Sequence, residues 1–229
     1  MFSLAQLLGH HGCVLVLDAA SATIHAGLLR DGKPAHWHSS NDEAGKAAFQ
    51  LTERCLRDTG ATLADVRAFA YCAGPGSMLG VRTVAMALRT WQALAPRPAF
   101  AYLSLPLIAH ELAQTDATRP FAVIADARRD SWHTINVAAD GTIGALQRTP
   151  SAELAASEQT LFQSAAFRAW ANPPRPTQPC DYDVPRLLER HRAVALFTET
   201  PAPDAFQHEA PEYKKWSAQV HSAATANPK

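Results

Sequence analysis

The first apolar run, Cys13-Val14-Leu15-Val16-Leu17-Asp18, is short, rich in β-branched residues and closed by a carboxylate, which predicts a strand buried on both faces. Small residues follow at Ala19, Ala20, Ser21 and Ala22. Residues 23–30 read as a second strand, Asp31-Gly32-Lys33-Pro34 as a turn, and residues 35–39 as a third strand. Apolar positions then recur with helical spacing at Ala44, Ala48, Leu51, Cys55 and Leu56, with Asn41 or Asp42 as cap, so a helix is expected from Asp42 to Thr59. Residues 66–73 alternate as a strand and stop at Gly74-Pro75-Gly76-Ser77. A long helix is expected from Ser77 to Ala95, with Val84, Leu88 and Trp91 on one face and Pro96 and Pro98 ending it. A strand at 99–103 and a helix at 104–114 complete this half.

The order β-β-β-α-β-α-β-α is that of a ribonuclease H-like core with a mixed sheet. The pattern then partly restarts. Phe121-Ala122-Val123-Ile124-Ala125-Asp126 is again a strand ending in Asp, followed by expected strands at 131–138 and 143–148, with Ser151 or Ser157 opening helices. Residues 172–185 read as a Pro-rich loop, and 194–197 as one further strand. The expectation is α/β architecture: two stacked ribonuclease H-like lobes of the actin-like (ASKHA) type, the second reduced. The boundaries are an N-terminal extension at 1–12, lobes at 13–103 and 104–220, and a flexible tail at 221–229.

Composition narrows the function. Lys plus Arg and Asp plus Glu are 21 each, so no global basic excess marks a nucleic-acid binder, although a local basic patch stays open. A hydrophobic content of 47% excludes wholesale disorder. No apolar stretch reaches the ~18 residues of a membrane span, and the N-terminus lacks the pattern of a signal peptide, so a cytoplasmic, non-membrane protein is expected. Cys13, Cys55, Cys72 and Cys180 show no CxxC spacing and read as free thiols in a reducing compartment.

Two features could carry chemistry. Gly74-Pro75-Gly76-Ser77-Met78-Leu79-Gly80-Val81-Arg82 places glycines between a strand and a helix, where backbone approaches something closely and helix N–H groups could meet an anion. The alternative is a plain strand-to-helix turn with Ser77 as N-cap. Asp18 could hold a metal or water near phosphate, with Ser21 beside it. Its loop lacks glycine, however, and a hydrogen-bond acceptor at a turn fits equally. Asp18, Ser21, Gly74, Gly76 and Ser77 are therefore candidate anion or nucleotide contacts. No His-x-x-x-His occurs. His36 and His38 fall on one face of an edge strand, and Glu53 is alone, so neither a metal centre nor two-metal nuclease chemistry is expected.

These residues together resemble the TsaB (YeaZ) family. The resemblance is carried by Val14-Leu15-Val16-Leu17-Asp18-Ala19-Ala20, the meander, the glycine turn and Asp126-Ala127-Arg128, and it resumes at Pro211-Glu212-Tyr213-Lys214-Lys215-Trp216. The sequence departs from the family pattern at Ala19 (usually Thr), at Met78-Leu79 (usually Phe-Thr) and at Asn41-Asp42-Glu43-Ala44 (often a His-Ser pair), and the loss of hydroxyls argues against nucleotide binding. The resemblance implies a non-catalytic scaffold or activator of a TsaD-like subunit in threonylcarbamoylation of the tRNA adenosine next to the anticodon. It also implies a TsaE-like ATPase in the assembly, a homodimer when alone, and tRNA reached only through the complex. No cofactor of its own is implied, though ATP or ADP could be bound by the complex. The partner surface it implies is the first two long helices, with Ala44, Ala47, Ala48, Leu51, Leu79 and Met86 as contacts. The rival readings are an actin-like ATPase or sugar or acyl kinase holding a nucleotide between the lobes, and a peptidase. The first needs glycine-bearing phosphate loops in both lobes, and the second a nucleophile–base pair or a metal.

Overall fold

The computed structural model describes residues 1–115 and 119–208. The expected tail at 221–229 and the segment Pro211–Trp216 lie outside the described residues. Residues 1–12 are not an extension. Strand β1 (Phe2–Ser3) leads into helix α1 (Leu4–His11), opened by a reciprocal cap: the Gln6 N–H donates to Ser3 Oγ at 3.1 Å and the Ser3 N–H to Gln6 Oε1 at 2.8 Å. Leu4, Leu7 and Leu8 share one face of α1 and are buried in the main core.

The expected meander follows as β2 (Cys13–Asp18), β3 (Ile24–Arg30) and β4 (His36–Ser40), each pair antiparallel. Next come α2 (Ala44–Thr59), β5 (Ala68–Cys72), α3 (Met78–Leu94), β6 (Ala99–Tyr102) and α4 (Ser104–Gln114). The expected caps of α2 are used elsewhere, for Asn41 Oδ1 accepts from Thr23 Oγ1 at 2.8 Å, the Asp42 N–H donates to Ser40 Oγ, and the helix starts behind Glu43 without a side-chain cap. All six residues of β2 are buried because both faces of its sheet are covered. Val14 and Val16 face one core, with Ala70, Phe100, Leu105 and Ile108; Leu15 and Leu17 face a second, under α2 and α3.

The second sheet contains β7 (Phe121–Asp126), β8 (Ser131–Val137), β9 (Gln147–Pro150), β10 (Thr160–Gln163) and β11 (Thr177–Pro179), in the order β11-β10-β7-β8-β9. Its helices are α5 (Ser151–Ala156) and α6 (Val184–Arg190). Four expectations change here: Ser157 closes α5 instead of opening a helix, β11 lies within the segment 172–185 expected as a loop, and two strands differ. The third strand begins at Gln147 rather than 143, since the Gly144 N–H turns back to the Asn136 carbonyl and Ile143 keeps only an isolated bridge to Val137. The last strand, β12 (Ala195–Thr200), belongs to the first sheet, whose order is β1-β12-β6-β5-β2-β3-β4. There it pairs antiparallel with β6, which would otherwise be an open edge. Phe121 and Val123 of β7, Ile135 of β8, and Leu187 of α6 join Val14, Leu105 and Ile108 in the same core, so α4 and α6 pack in the interior shared by both sheets.

After β12 the chain runs from the first sheet to the second. Arg89 Nε donates to the Pro203 carbonyl at 2.6 Å, the Phe206 N–H to the Ala73 carbonyl at 2.7 Å, and His208 stacks on His133 with ring nitrogens 2.8 Å apart. Burial, then the neighbouring His208 and Arg148, push the His133 imidazole from the ordinary 6.5 down to about 4, against an opposing pull from Asp126.

Two predictions follow from this packing. Leu7→Ala should cost about 2–5 kcal/mol in a urea titration, as for a core leucine, where a dangling extension would leave the midpoint unchanged. Because the folded state binds a proton at His133 less readily than the unfolded chain, its contribution is intact above about pH 6.5 and is lost as pH falls towards 4. Urea midpoints measured across that window should therefore fall less steeply for His133→Phe than for the wild-type chain, and parallel curves would contradict the assignment.

Candidate functional site

The glycine turn is closed on the chain itself. The Ser77 N–H donates to the Ala20 carbonyl at 2.7 Å, and Ser77 Oγ accepts the Gly80 N–H at 3.2 Å, capping α3. A Cβ on Gly76 would lie 2.1 Å from the Ala20 oxygen, and one on Gly80 would lie 2.2 Å from the Ala19 oxygen. The other side of the turn is tied to α4, where Ser104 donates its N–H to the Gly74 carbonyl at 2.9 Å and its hydroxyl to the Pro75 carbonyl at 2.6 Å. The glycines thus allow close approach, but to the Ala19–Ala20 backbone. The negative end of a carbonyl dipole sits where an anion would meet the helix N-terminus.

Asp18 is fully buried and fully used. Oδ2 accepts from the Tyr102 hydroxyl at 2.5 Å and the Tyr182 hydroxyl at 2.6 Å, while Oδ1 accepts the Ala20 N–H at 2.9 Å. Burial first, and the Asp18 charge second, push Tyr102, Tyr182 and Cys72 well above their ordinary ranges, so all three stay protonated. The carboxylate is a buried hydrogen-bond hub. Ser21 makes a local turn, its hydroxyl donating to the Thr23 carbonyl at 2.7 Å. The five candidate residues therefore do come together at one end of the first sheet, where they bind one another's loops. Tyr102 and Tyr182 complete the arrangement; nothing in the sequence spacing marks them.

The helix surface divides differently from expectation. Ala47, Ala48 and Leu51 are 1%, 0% and 2% exposed and pack against the chain's own first sheet, with Ala44 half-buried on the same cluster. They cannot be outward contacts: the small side chains let α2 lie close on β3 and β4. Leu79 and Met86, in contrast, are 73% and 58% exposed. On α3 they share a stripe with Thr83 and Thr90, whose hydroxyls fold back to the Leu79 and Met86 carbonyls at 2.8 and 2.9 Å. Phe49 of α2, also exposed, stands edge-on to Trp91 and extends the apolar surface.

A cavity of about 1070 Å³ lies among Tyr71, Leu103, His110, Leu196 and Phe206, and none of the candidate residues lines it. Among the described residues no group of three or more His, Cys, Asp or Glu could hold a metal ion, and no helix is long and apolar enough to cross a membrane. Cys13, Cys55 and Cys72 are buried, and the four cysteines form no disulfide.

Comparison with known proteins places this geometry. The family model for TsaD, tRNA N6-adenosine threonylcarbamoyltransferase, matches residues 43–154. No curated protein matches the sequence. Among solved structures, an uncharacterized Pseudomonas aeruginosa protein with similarity to peptidase YeaZ aligns at 19% identity and a TM-score of 0.59, covering 86% of this chain and 99% of the other. YeaZ from Pseudomonas aeruginosa aligns at 20% identity and a TM-score of 0.56, covering 78% and 91%. The chain therefore has the YeaZ-like fold of two mixed α/β layers, and from Glu43 to Leu154 it matches the TsaD family.

Proposed function

We propose that this chain is a non-catalytic scaffold or activator subunit that binds a TsaD-like partner in threonylcarbamoylation of tRNA adenosine. The family match at residues 43–154 and the YeaZ-like fold support the pathway. The observation that carries the role is the pairing of a glycine turn occupied by the Ala20 carbonyl with an exposed apolar stripe on the helix that the turn starts. A phosphate-binding enzyme of this architecture needs the turn open. A subunit that works through contact needs the stripe.

In this reading Leu79, Met86 and Phe49 form the partner surface. They are shared between a homodimer of the chain alone and a heterodimer with the TsaD-like subunit, with a TsaE-like ATPase joining the assembly in the cytoplasm. A stable, specific interface of this kind buries on the order of 1,600 Å² in total.

Sedimentation velocity with a purified TsaD-type protein tests the surface. Leu79→Glu and Met86→Glu should keep the unfolding free energy from urea titration within about 0.5 kcal/mol of wild type and weaken association at least roughly tenfold, because a charge is desolvated without a partner. Ala48→Glu should instead unfold the chain. Undiminished association in both surface variants would place the interface elsewhere. Asp18→Asn separates the scaffold reading from the nucleotide-binding one. It should lower stability by about 1.5–3 kcal/mol through the loss of charge-assisted hydrogen bonds, whereas a loss of tight ATP binding at unchanged stability would favour an actin-like ATPase.

A further inference from the structure

We propose that the loops carrying Arg128, Arg129, Arg168 and Trp170 form a contact surface of this chain for single-stranded RNA. The two loops meet at one end of the second sheet. The hairpin between β7 and β8 holds Arg128, Arg129 and Asp130 at φ of 61°, 49° and 54°, a left-handed run without glycine that leaves all three side chains exposed. Asp126 locks this hairpin to the second loop: Oδ1 accepts the Arg128 N–H at 2.6 Å, and Oδ2 accepts the Trp170 and Ala171 N–H groups at 2.5 and 3.0 Å. Burial works against the Asp126 charge, but the three N–H groups, with the Arg128 charge after them, outweigh it and hold the carboxyl below its ordinary range.

The surface so fixed has a particular chemistry. Trp170 is 58% exposed, and its indole is layered by the Arg168 and Arg128 guanidiniums, 3.9 and 4.7 Å from the ring centroid. None of Arg128, Arg129 and Arg168 has an acidic partner within 4.0 Å among the described residues. Arg148 stands beside them, donating from Nε to Ser131 Oγ at 2.9 Å. On a chain of zero formal net charge, this is a local concentration of arginines, with Asp126 and Asp130 as the acidic residues beside them. The guanidinium planes that the indole supports offer flat faces on which unstacked bases lie, and the guanidinium forks donate to phosphate oxygens. An acidic polypeptide would satisfy the charge but gives the exposed indole no flat partner. That the RNA is a tRNA loop rests on the function proposed above, and the chain then touches tRNA itself instead of reaching it only through the complex.

Fluorescence anisotropy of the whole chain, without any partner, tests this with three probes: an unmodified tRNA transcript, a single-stranded RNA 12-mer and polyglutamate. Trp170→Ala should weaken RNA binding about tenfold. Arg128→Ala and Arg168→Ala should each flatten the plot of log affinity against log salt by about 0.7. Trp170→Phe should retain most of the affinity, and unchanged urea midpoints would show that the variants fold. Equal RNA affinity in wild type, Trp170→Ala and Arg168→Ala, or tighter binding of polyglutamate than of RNA, would overturn the proposal. Because the measurement omits the partner, failure of RNA binding with intact TsaD association sinks only this inference. RNA binding through these residues without TsaD association leaves it standing and sinks the proposed role.

Discussion

A carboxylate buried at the end of β2 has to be satisfied on every side, and the way Asp18 is satisfied organises the molecule. Its donors come from Tyr102 at the end of β6, from Tyr182 just before α6, and from the backbone of Ala20. A buried charge with a donor removed is destabilising by several kcal/mol in order of magnitude, so the three segments are held to one point. Pinning Ala20 also fixes its carbonyl, and that carbonyl fills the glycine turn. The closed turn, the capped start of α3 and the outward stripe from Leu79 to Thr90 are successive results of where one carboxylate finds its hydrogen bonds.

The glycines show how one local pattern supports opposite uses. Gly76 and Gly80 lack side chains because backbone passes within van der Waals contact, which is the reason a phosphate loop also needs glycine. The facing loop decides between the two. Ala19 and Ala20 are 1% exposed, and their carbonyls occupy the approach. Cys72 beside them is kept a neutral thiol by burial and by Asp18, so the pocket of polar atoms around the carboxylate contains no activated nucleophile at that sulfur.

Much of this was legible in the chain and some was not, for identifiable reasons. The meander and the alternating helices followed from strong local periodicity, since Val14 and Leu15 point to different cores and both must be apolar. The reciprocal cap Ser3-Leu4-Ala5-Gln6 is written in the sequence and marks α1, yet a short helix beside a weak two-residue strand is easily passed over. The small-residue stripe of α2 could not be assigned from spacing, because close packing on a sheet and on a partner ask for the same alanines. The large apolar residues left outside, Leu79 and Met86, carry that information. Tyr102 and Tyr182 lie far from Asp18 along the chain, and β12 chooses its sheet by an edge that only the folded β6 presents.

That choice of edge has a consequence for the order in which the molecule is assembled. The neighbours of β6 are β5, completed early in synthesis, and β12, which the ribosome delivers only after the whole second sheet has been made. Among the described residues, β1, which precedes these strands, pairs only with β12. During translation the nascent chain therefore exposes one unpaired flank of β6 for the time needed to add residues 103–194, roughly 5–20 s at about 5–20 residues per second, an interval in which the polypeptide is open to strand-mediated aggregation.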